Sequence, residues 1–259
     1  MIRRRLKNLY SHRRVIRDMG FKILKGRYAG SYLGLWWAVL TPVILAFSIN
    51  FVFKGALKTS VPGYVFFVLA GIIPWLFFSN AASESAQAFR DHSGVMRQAV
   101  FPRECVPLAV VYAQSLNFCI GLLCLLPVFS IANPRIIPML WVVPFLLFCF
   151  VVFITGFAFI LSAAGVFFRD LQHFLSIFLT VWFWLTPVFY PVESIASGFR
   201  IFVSANPLTY YVVFFQKLLC EGALPSAQII VPAVAFACVS CVAGYGIFII
   251  NESQLLKRI

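Results

Sequence analysis

Apolar residues run along this chain in long unbroken stretches, and the charges gather in the short segments between them. Six stretches stand out, at about 34–53, 64–82, 105–130, 136–168, 171–190 and 227–250. A helix rising ~1.5 Å per residue needs about 20 residues to cross the hydrocarbon core of a bilayer, so each stretch predicts a transmembrane helix. The runs are continuous, without the alternation of a lipid-facing barrel strand. The fourth is longer than one span requires, and Pro138 and Pro144 near its start predict a kink or an interfacial first turn. Segment 191–226 is of another kind: IFVSANPLTYYVVFFQKLL is too apolar for a free loop, yet Asn206-Pro207 interrupts it and it carries Lys217. Non-helical backbone at membrane depth is tolerable where protein or a cavity surrounds it.

Composition agrees with the pattern. Hydrophobic residues make up 62% and charged ones only 11% of the 259 residues, against roughly 25% charged in a globular domain. The predicted class is an all-α integral membrane protein. With the N-terminus inside, the inner segments (1–33, 83–104, 169–170 and 251–259) hold 16 Lys/Arg and the outer ones 5. The positive-inside rule then puts both termini in the cytoplasm. The first apolar run follows about 30 basic-rich residues, is span-length and lacks a small-residue cleavage site, so the expectation is that the whole chain is mature protein.

Several chemistries lose ground on the same evidence. Of the seven cysteines, Cys238 and Cys241 have CxxC spacing, but they lie inside the last apolar run with no histidine near, so neither a disulfide framework nor a metal site is implied. None of the six runs holds Asp, Glu, Lys or Arg in its interior. A charge at that depth costs at least ~2.5–3.5 kcal/mol and is kept for use, which disfavours an ion-coupled carrier. The nearest approach to a phosphate-cradling GxxxxGK[ST] loop, GFKILKGR at 20–27, has lysine where the second glycine belongs. No cofactor is expected on this chain.

The polar segments carry the remaining signal. Residues 1–27 hold ten Lys/Arg against the single acid Asp18, with Leu6, Leu9, Ile16, Met19 and Ile23 recurring at near-helical spacing. This predicts an amphipathic helix in the inner interface, within a segment spanning 1–33, drawn to anionic lipid. Simple anchoring would account for it. A sharper reading has Lys25, Arg27 and Tyr28, nearest the first span, receiving the phosphate of an anionic lipid-linked substrate. Gly26, Gly30 and Gly34 fall at GxxxG spacing there and read equally as a close helix contact or as a hinge. Segment 83–104, ending RQAVFPRE, mixes three arginines with Glu84, Asp91 and Glu104; Gly94 and Pro102 break it, and Met96, Val100 and Phe101 supply apolar anchors. It reads as an ordinary cytoplasmic turn or as a docking surface with a polar rim. In GVFFRDLQHF, Arg169-Asp170 joins two apolar runs, as a tight turn or a lesser docking point.

These motifs resemble, in order and over nearly the full length, the membrane subunits of type-2 ABC exporters that move polysaccharides, the O-antigen, teichoic-acid and capsule group. GRYAGSYLGLWWAVLTP (26–42) is similar to the family's approach to its first span. RQAVFPRE matches the region after the second span, VFFRDL and FWLTPVFYP (166–191) the fourth-to-fifth connection, and ANPLTYY (205–211) the outer segment before the last span. The resemblance implies a homodimer of six-span subunits in the bacterial inner membrane. Two separate ATPase subunits would carry ATP and magnesium, and a lipid-linked polysaccharide would be the cargo, with no nucleic acid involved. It implies a gate helix over 1–33 and a six-span domain over 34–259. It also implies a main coupling helix in 83–104, with Arg90, Asp91, Met96, Arg97, Phe101, Arg103 and Glu104 facing the ATPase and Arg169 and Asp170 as a lesser contact. Residues 191–226 become outer re-entrant helices.

Sugars pack their apolar faces on rings, so in such an exporter Trp36, Trp37, Phe178, Trp182, Trp184, Phe189 and Tyr190 are candidates for channel lining. Interfacial belts also concentrate Trp and Tyr. The alternative is a membrane-embedded lipid-linked glycan transferase, or another enzyme working at the outer face through Glu193, Glu221 or His173.

Overall fold

The computed structural model describes residues 2–56, 62–98 and 101–258, and the side chain of Arg97, like Val100, lies outside what is described. Among the described residues every regular element is helical. Two helices, α1 (Ile2–Ser11) and α2 (Arg13–Tyr28), precede α3 (Trp37–Asn50) and α4 (Tyr64–Asp91). The short α5 (Ser93–Gln98) leads to α6 (Cys105–Ala132), α7 (Val143–Phe167) and α8 (Leu171–Leu185). The chain closes with α9 (Ser197–Ala205), α10 (Pro207–Gln216) and α11 (Ala227–Arg258).

Among the described residues five segments are long and apolar enough to cross a membrane: Gly34–Lys54, Tyr64–Asp91, Cys105–Ala132, Pro134–Phe167 and Ala227–Glu252. The all-α membrane class therefore holds. The expected span 171–190 is shorter: α8 stops after 15 residues at Leu185. Thr186 is extended, with φ −94° and ψ 135°, as the residue before Pro187 prefers, and proline has no N–H to continue the helix. In the fourth run, Pro134–Val142 forms a 3₁₀ helix containing Pro138, and Pro144 sits in the first turn of α7, so the prolines do set an irregular start. Segment 83–104 is not one helix, because α4 continues through Asp91 before α5 begins.

The fold is organised around α4, which packs against α3, α6, α7, α8 and α10. Its Val68, Ile72, Phe77, Phe78 and Ala81 are buried. Rings knit the layers: Phe77 stacks on Phe118 of α6 at 4.7 Å between centroids, and Phe150 of α7 on Tyr211 of α10 at 4.5 Å. Lipid tails are as apolar as these side chains, so burial alone gives little preference for helix over lipid, and close packing must supply it. Helix α7 packs closely on two sides, against α4, where a β-carbon at Gly165 would lie 1.9 Å from the Ala86 carbonyl oxygen, and against α11. A β-carbon at Gly156 would lie 2.2 Å from the Ser240 carbonyl group, and one at Gly244 would lie 2.1 Å from the Gly156 carbonyl oxygen. The Ser240 hydroxyl also donates to the Phe153 carbonyl at 2.8 Å.

Gly156→Leu should therefore cost about 1–3 kcal/mol or more through overpacking and strongly reduce the yield of monodisperse protein extracted in mild detergent. Gly246→Leu, with nothing within 4 Å of the added carbon, should extract like the parent. Matching size-exclusion profiles for the two variants would refute this account of the contact.

Candidate functional site

The amphipathic N-terminal segment is two helices broken at His12, and the second is docked rather than afloat. Helix α2 lies on α6, with Gly20 and Leu24 buried and Phe21 edge-on to Tyr112 at 5.8 Å. Gly26 meets nothing within 4 Å, whereas Gly30 and Gly34 have φ of 75° and 52°, a region that glycine enters at little cost. Of the two readings of the glycine spacing, the geometry is that of a hinge between α2 and the first span.

At the end of α2 a polar cluster forms. Arg27 pairs through Nη2 with Glu84 of α4, and its Nη1 donates to Gln114 Oε1 of α6 at 3.2 Å. Gln114 Nε2 in turn donates to Glu84 Oε2 at 2.6 Å, closing a ring of three side chains. Gln114 is buried, while the Arg27 and Glu84 side chains keep 25% and 33% exposure, so the pair is not sealed from its surroundings. The Tyr28 hydroxyl donates to Asn117 of α6, and burial pushes its pKa up, which keeps it protonated as a donor. Lys25 is exposed one turn back.

Beside this cluster a part-open cavity of about 400 Å³ is bounded by α3, α4 and α6. Arg27, Tyr28, Asn80 and Asn117 give it a polar wall, and Trp37, Phe77 and Phe118 an aromatic one. A few convergent polar groups in an otherwise apolar recess are what a small-ligand site requires. Sequence reasoning found Arg27 and Tyr28 but not Glu84, Asn80, Gln114 or Asn117. A signal was present: Asn80 and Glu84 are four apart, and Gln114 and Asn117 three apart, so each pair shares a helix face inside or beside an apolar run.

Arg90 and Asp91 at the end of α4, and Phe168, Arg169 and Asp170 before α8, are exposed. Arg90 Nη1 donates to the Arg169 carbonyl at 3.1 Å, which brings the two predicted docking points together. Arg103 is half-buried. Met96 and Phe101 are half-buried and pack on the cluster of Phe89, Val106, Phe159 and Phe248, so their apolar surface is partly used within the chain. Glu104 faces inward: its side chain is 4% exposed and pairs with Arg5 Nη1 at 3.2 Å. Arg5 also reaches Glu252 of α11 at 2.7 Å, and that hydrogen bond raises the guanidinium further above its ordinary pKa. The FPRE glutamate thus ties α1 and α11 to the start of α6.

The aromatic candidates are spread over separate recesses. Trp37 lines the polar cavity. Phe178 and Trp182 line an apolar cleft of about 390 Å³ between α4, α7 and α8. Trp184 and Phe189 line another, of about 410 Å³, between α3, α4 and α8. Trp36 is exposed, Phe189 is buried, and Tyr190 is half-buried with its hydroxyl on the Trp184 carbonyl at 3.3 Å. Trp182 has a second duty, donating its indole N–H to Asn206 Oδ1 at 2.9 Å. Asn206 Nδ2 donates to Thr186 Oγ1 at 2.9 Å, and Gln216 Nε2 to the Pro187 carbonyl at 3.0 Å. Gln216 therefore answers the backbone where α8 breaks, while Asn206 of the ANP motif ties together the Trp182 and Thr186 side chains there. Glu193, Glu221 and His173 are exposed on separate elements.

Comparison with known proteins bears on this arrangement. Residues 19–220 match the family described as ABC-2 type transporter. The chain is 32% identical over 255 residues to the O-antigen export system permease protein RfbA of Myxococcus xanthus, covering 97% of this chain and 96% of that one. A Klebsiella pneumoniae permease of the same name is 31% identical over 208 residues, 78% of this chain and 79% of that protein. The polysialic acid transport protein KpsM of Escherichia coli is 22% identical over 242 residues, 90% and 92% of the two chains. A family match running from within α2 to just past α10, and a relative aligned almost end to end, lead to one assignment: the chain belongs to the ABC-2 type transporter family, as a multi-pass membrane subunit.

Proposed function

We infer that this chain is the membrane subunit of an exporter that passes a lipid-linked polysaccharide, of the O-antigen kind, from the inner to the outer face of the bacterial inner membrane. Two copies would pair and would be driven by two separate ATPase subunits, which bind ATP and magnesium. Both termini would be cytoplasmic. The observation that carries the reading is the polar cavity beside Arg27, in a chain whose end-to-end relative is an O-antigen export permease. A polysaccharide on a lipid carrier presents a phosphate at headgroup depth with sugar next to it. The cavity offers a cation and hydroxyl and amide donors for the first, and the rings of Trp37, Phe77 and Phe118 for the second. The exposed Arg90, Asp91, Arg169 and Asp170 would receive the ATPase. The enzyme alternative is disfavoured, since its candidate groups do not converge on one site and the relatives are permeases.

Two experiments test the reading. In the reconstituted transporter, Lys25→Gln with Arg27→Gln should lower the stimulation of ATP hydrolysis by lipid-linked substrate by about 10-fold, the scale of a lost charge-assisted contact. An undiminished response would remove the headgroup role. Separately, Arg90→Glu with Arg169→Glu should leave membrane insertion intact, because the N-terminal basic excess is untouched. It should also sharply reduce co-purification of the ATPase. Retention of the ATPase and of export in that double variant would overturn the docking assignment.

A further inference from the structure

The Arg27 guanidinium is already occupied. Its Nη2 is paired with Glu84 and its Nη1 with Gln114, so both terminal nitrogens that would grip a phosphate in bidentate fashion are engaged by the protein. Glu84 and Gln114 do not line the cavity, whereas Arg27 does, so the carboxylate stands behind the cation and the recess lies in front of it. The carboxylate stands on α4 just past Ser79, Asn80 and Ser83, with a largely apolar stretch, Tyr64–Phe78, further along the same helix. Anchoring α2 does not require it, because Gly20, Leu24 and the Phe21–Tyr112 contact already dock that helix on α6.

A cation at the inner headgroup level faces a particular hazard. Anionic phospholipids are abundant there, and each basic residue near the surface attracts them by about 1 kcal/mol. An unpaired Arg27 would be filled by bulk lipid phosphate. A phosphodiester headgroup carries one negative charge, as Glu84 does, so exchanging one for the other gains little. A pyrophosphate carries more charge and more acceptor oxygens on adjacent groups, and it gains on exchange.

Resting on the reading of Arg27 as the headgroup cation, we propose that Glu84 is a specificity residue: an internal counter-anion that keeps monoanionic phospholipid off Arg27 and yields it to a pyrophosphate-linked lipid. Gln114 completes the device. Its amide is bonded to both partners, so when Arg27 turns toward the cavity the Glu84 carboxylate keeps the Gln114 Nε2 donor and is not left bare.

The test uses the full chain, with its ATPase partner, in nanodiscs, and geranylgeranyl pyrophosphate as the probe. In phosphatidylcholine discs, Glu84→Gln should bind the probe about 5-fold more tightly than the parent, the scale of one charge pair. Including phosphatidylglycerol should weaken binding to Glu84→Gln by a similar factor while changing the parent less than about 2-fold. Equal sensitivity of parent and Glu84→Gln to phosphatidylglycerol would overturn the proposal. Arg27→Gln separates the layers. If it loses the probe while Glu84→Gln behaves like the parent, the counter-anion role fails and the headgroup reading stands. If it binds like the parent, both fail. Should Glu84→Gln not fold, the parent alone decides: displacement of bound probe by phosphatidylglycerol sinks the proposal, and resistance supports it.

Discussion

A polar group inside a lipid-embedded bundle has no water to turn to, so each one must find its partner within the protein. Much of this structure follows from that constraint. Where α8 ends at Thr186-Pro187, backbone carbonyls at depth are answered by Gln216, and Asn206 links Thr186, Trp182 and the first turn of α10. Two of the arginines that are not exposed sit in closed sets: Arg27 with Glu84 and Gln114, and Arg5 with Glu104 and Glu252. The Tyr64 hydroxyl on the Phe189 carbonyl, at 2.6 Å, and the Tyr211 hydroxyl on the Ala233 carbonyl, at 2.7 Å, continue the pattern between helices. Apolar surface cannot choose between a neighbouring helix and lipid, so these few polar links and the glycine contacts fix which helices meet.

That division explains what could be read from the chain directly. The spans were legible because hydropathy and length alone decide whether a segment enters the bilayer. The irregular start of α7 was legible too, since Pro138 and Pro144 act through local backbone chemistry. The end of α8 was less so: Thr186-Pro187 is a local signal, but the surrounding apolar run masks it. The site was half legible. Arg27 and Tyr28 stand out as polar residues next to a span, whereas Glu84, Gln114 and Asn117 acquire meaning only when α2, α4 and α6 are brought side by side. Their separations in sequence, 57 residues from Arg27 to Glu84 and 87 from Arg27 to Gln114, exceed what any spacing argument can reach.

RQAVFPRE shows the same limit within eight residues. Its charges look alike in one dimension, yet Arg103 and Glu104 differ in burial. Glu104 is buried against Arg5, and Arg103 is half-buried, while the side chain of Arg97 lies outside the described residues. The exposed charge that could meet a partner comes instead from Arg90 and Asp91 at the end of α4 and from Arg169 and Asp170 before α8, joined by the Arg90 hydrogen bond. A motif that reads as one docking element is therefore partly a fastening for α1 and α11.

The fastening matters because of where its ends lead. Helix α4 carries Arg90 at its inner end and Glu84 less than two turns earlier, on one continuous helix. Helix α6 begins beside Glu104 and carries Gln114 and Asn117 further along. The exposed charges and the Arg27 cluster thus lie within about two to three turns of each other on the same two helices, with no loop between them. Helix α2, by contrast, meets the first span only through the hinge at Gly30 and Gly34. A displacement of α4 relative to α6 at that end would separate Glu84 from Gln114, the two groups that hold Arg27. The element free to respond is α2, since its other end is held to α6 by contacts while its exit is a pair of left-handed glycines.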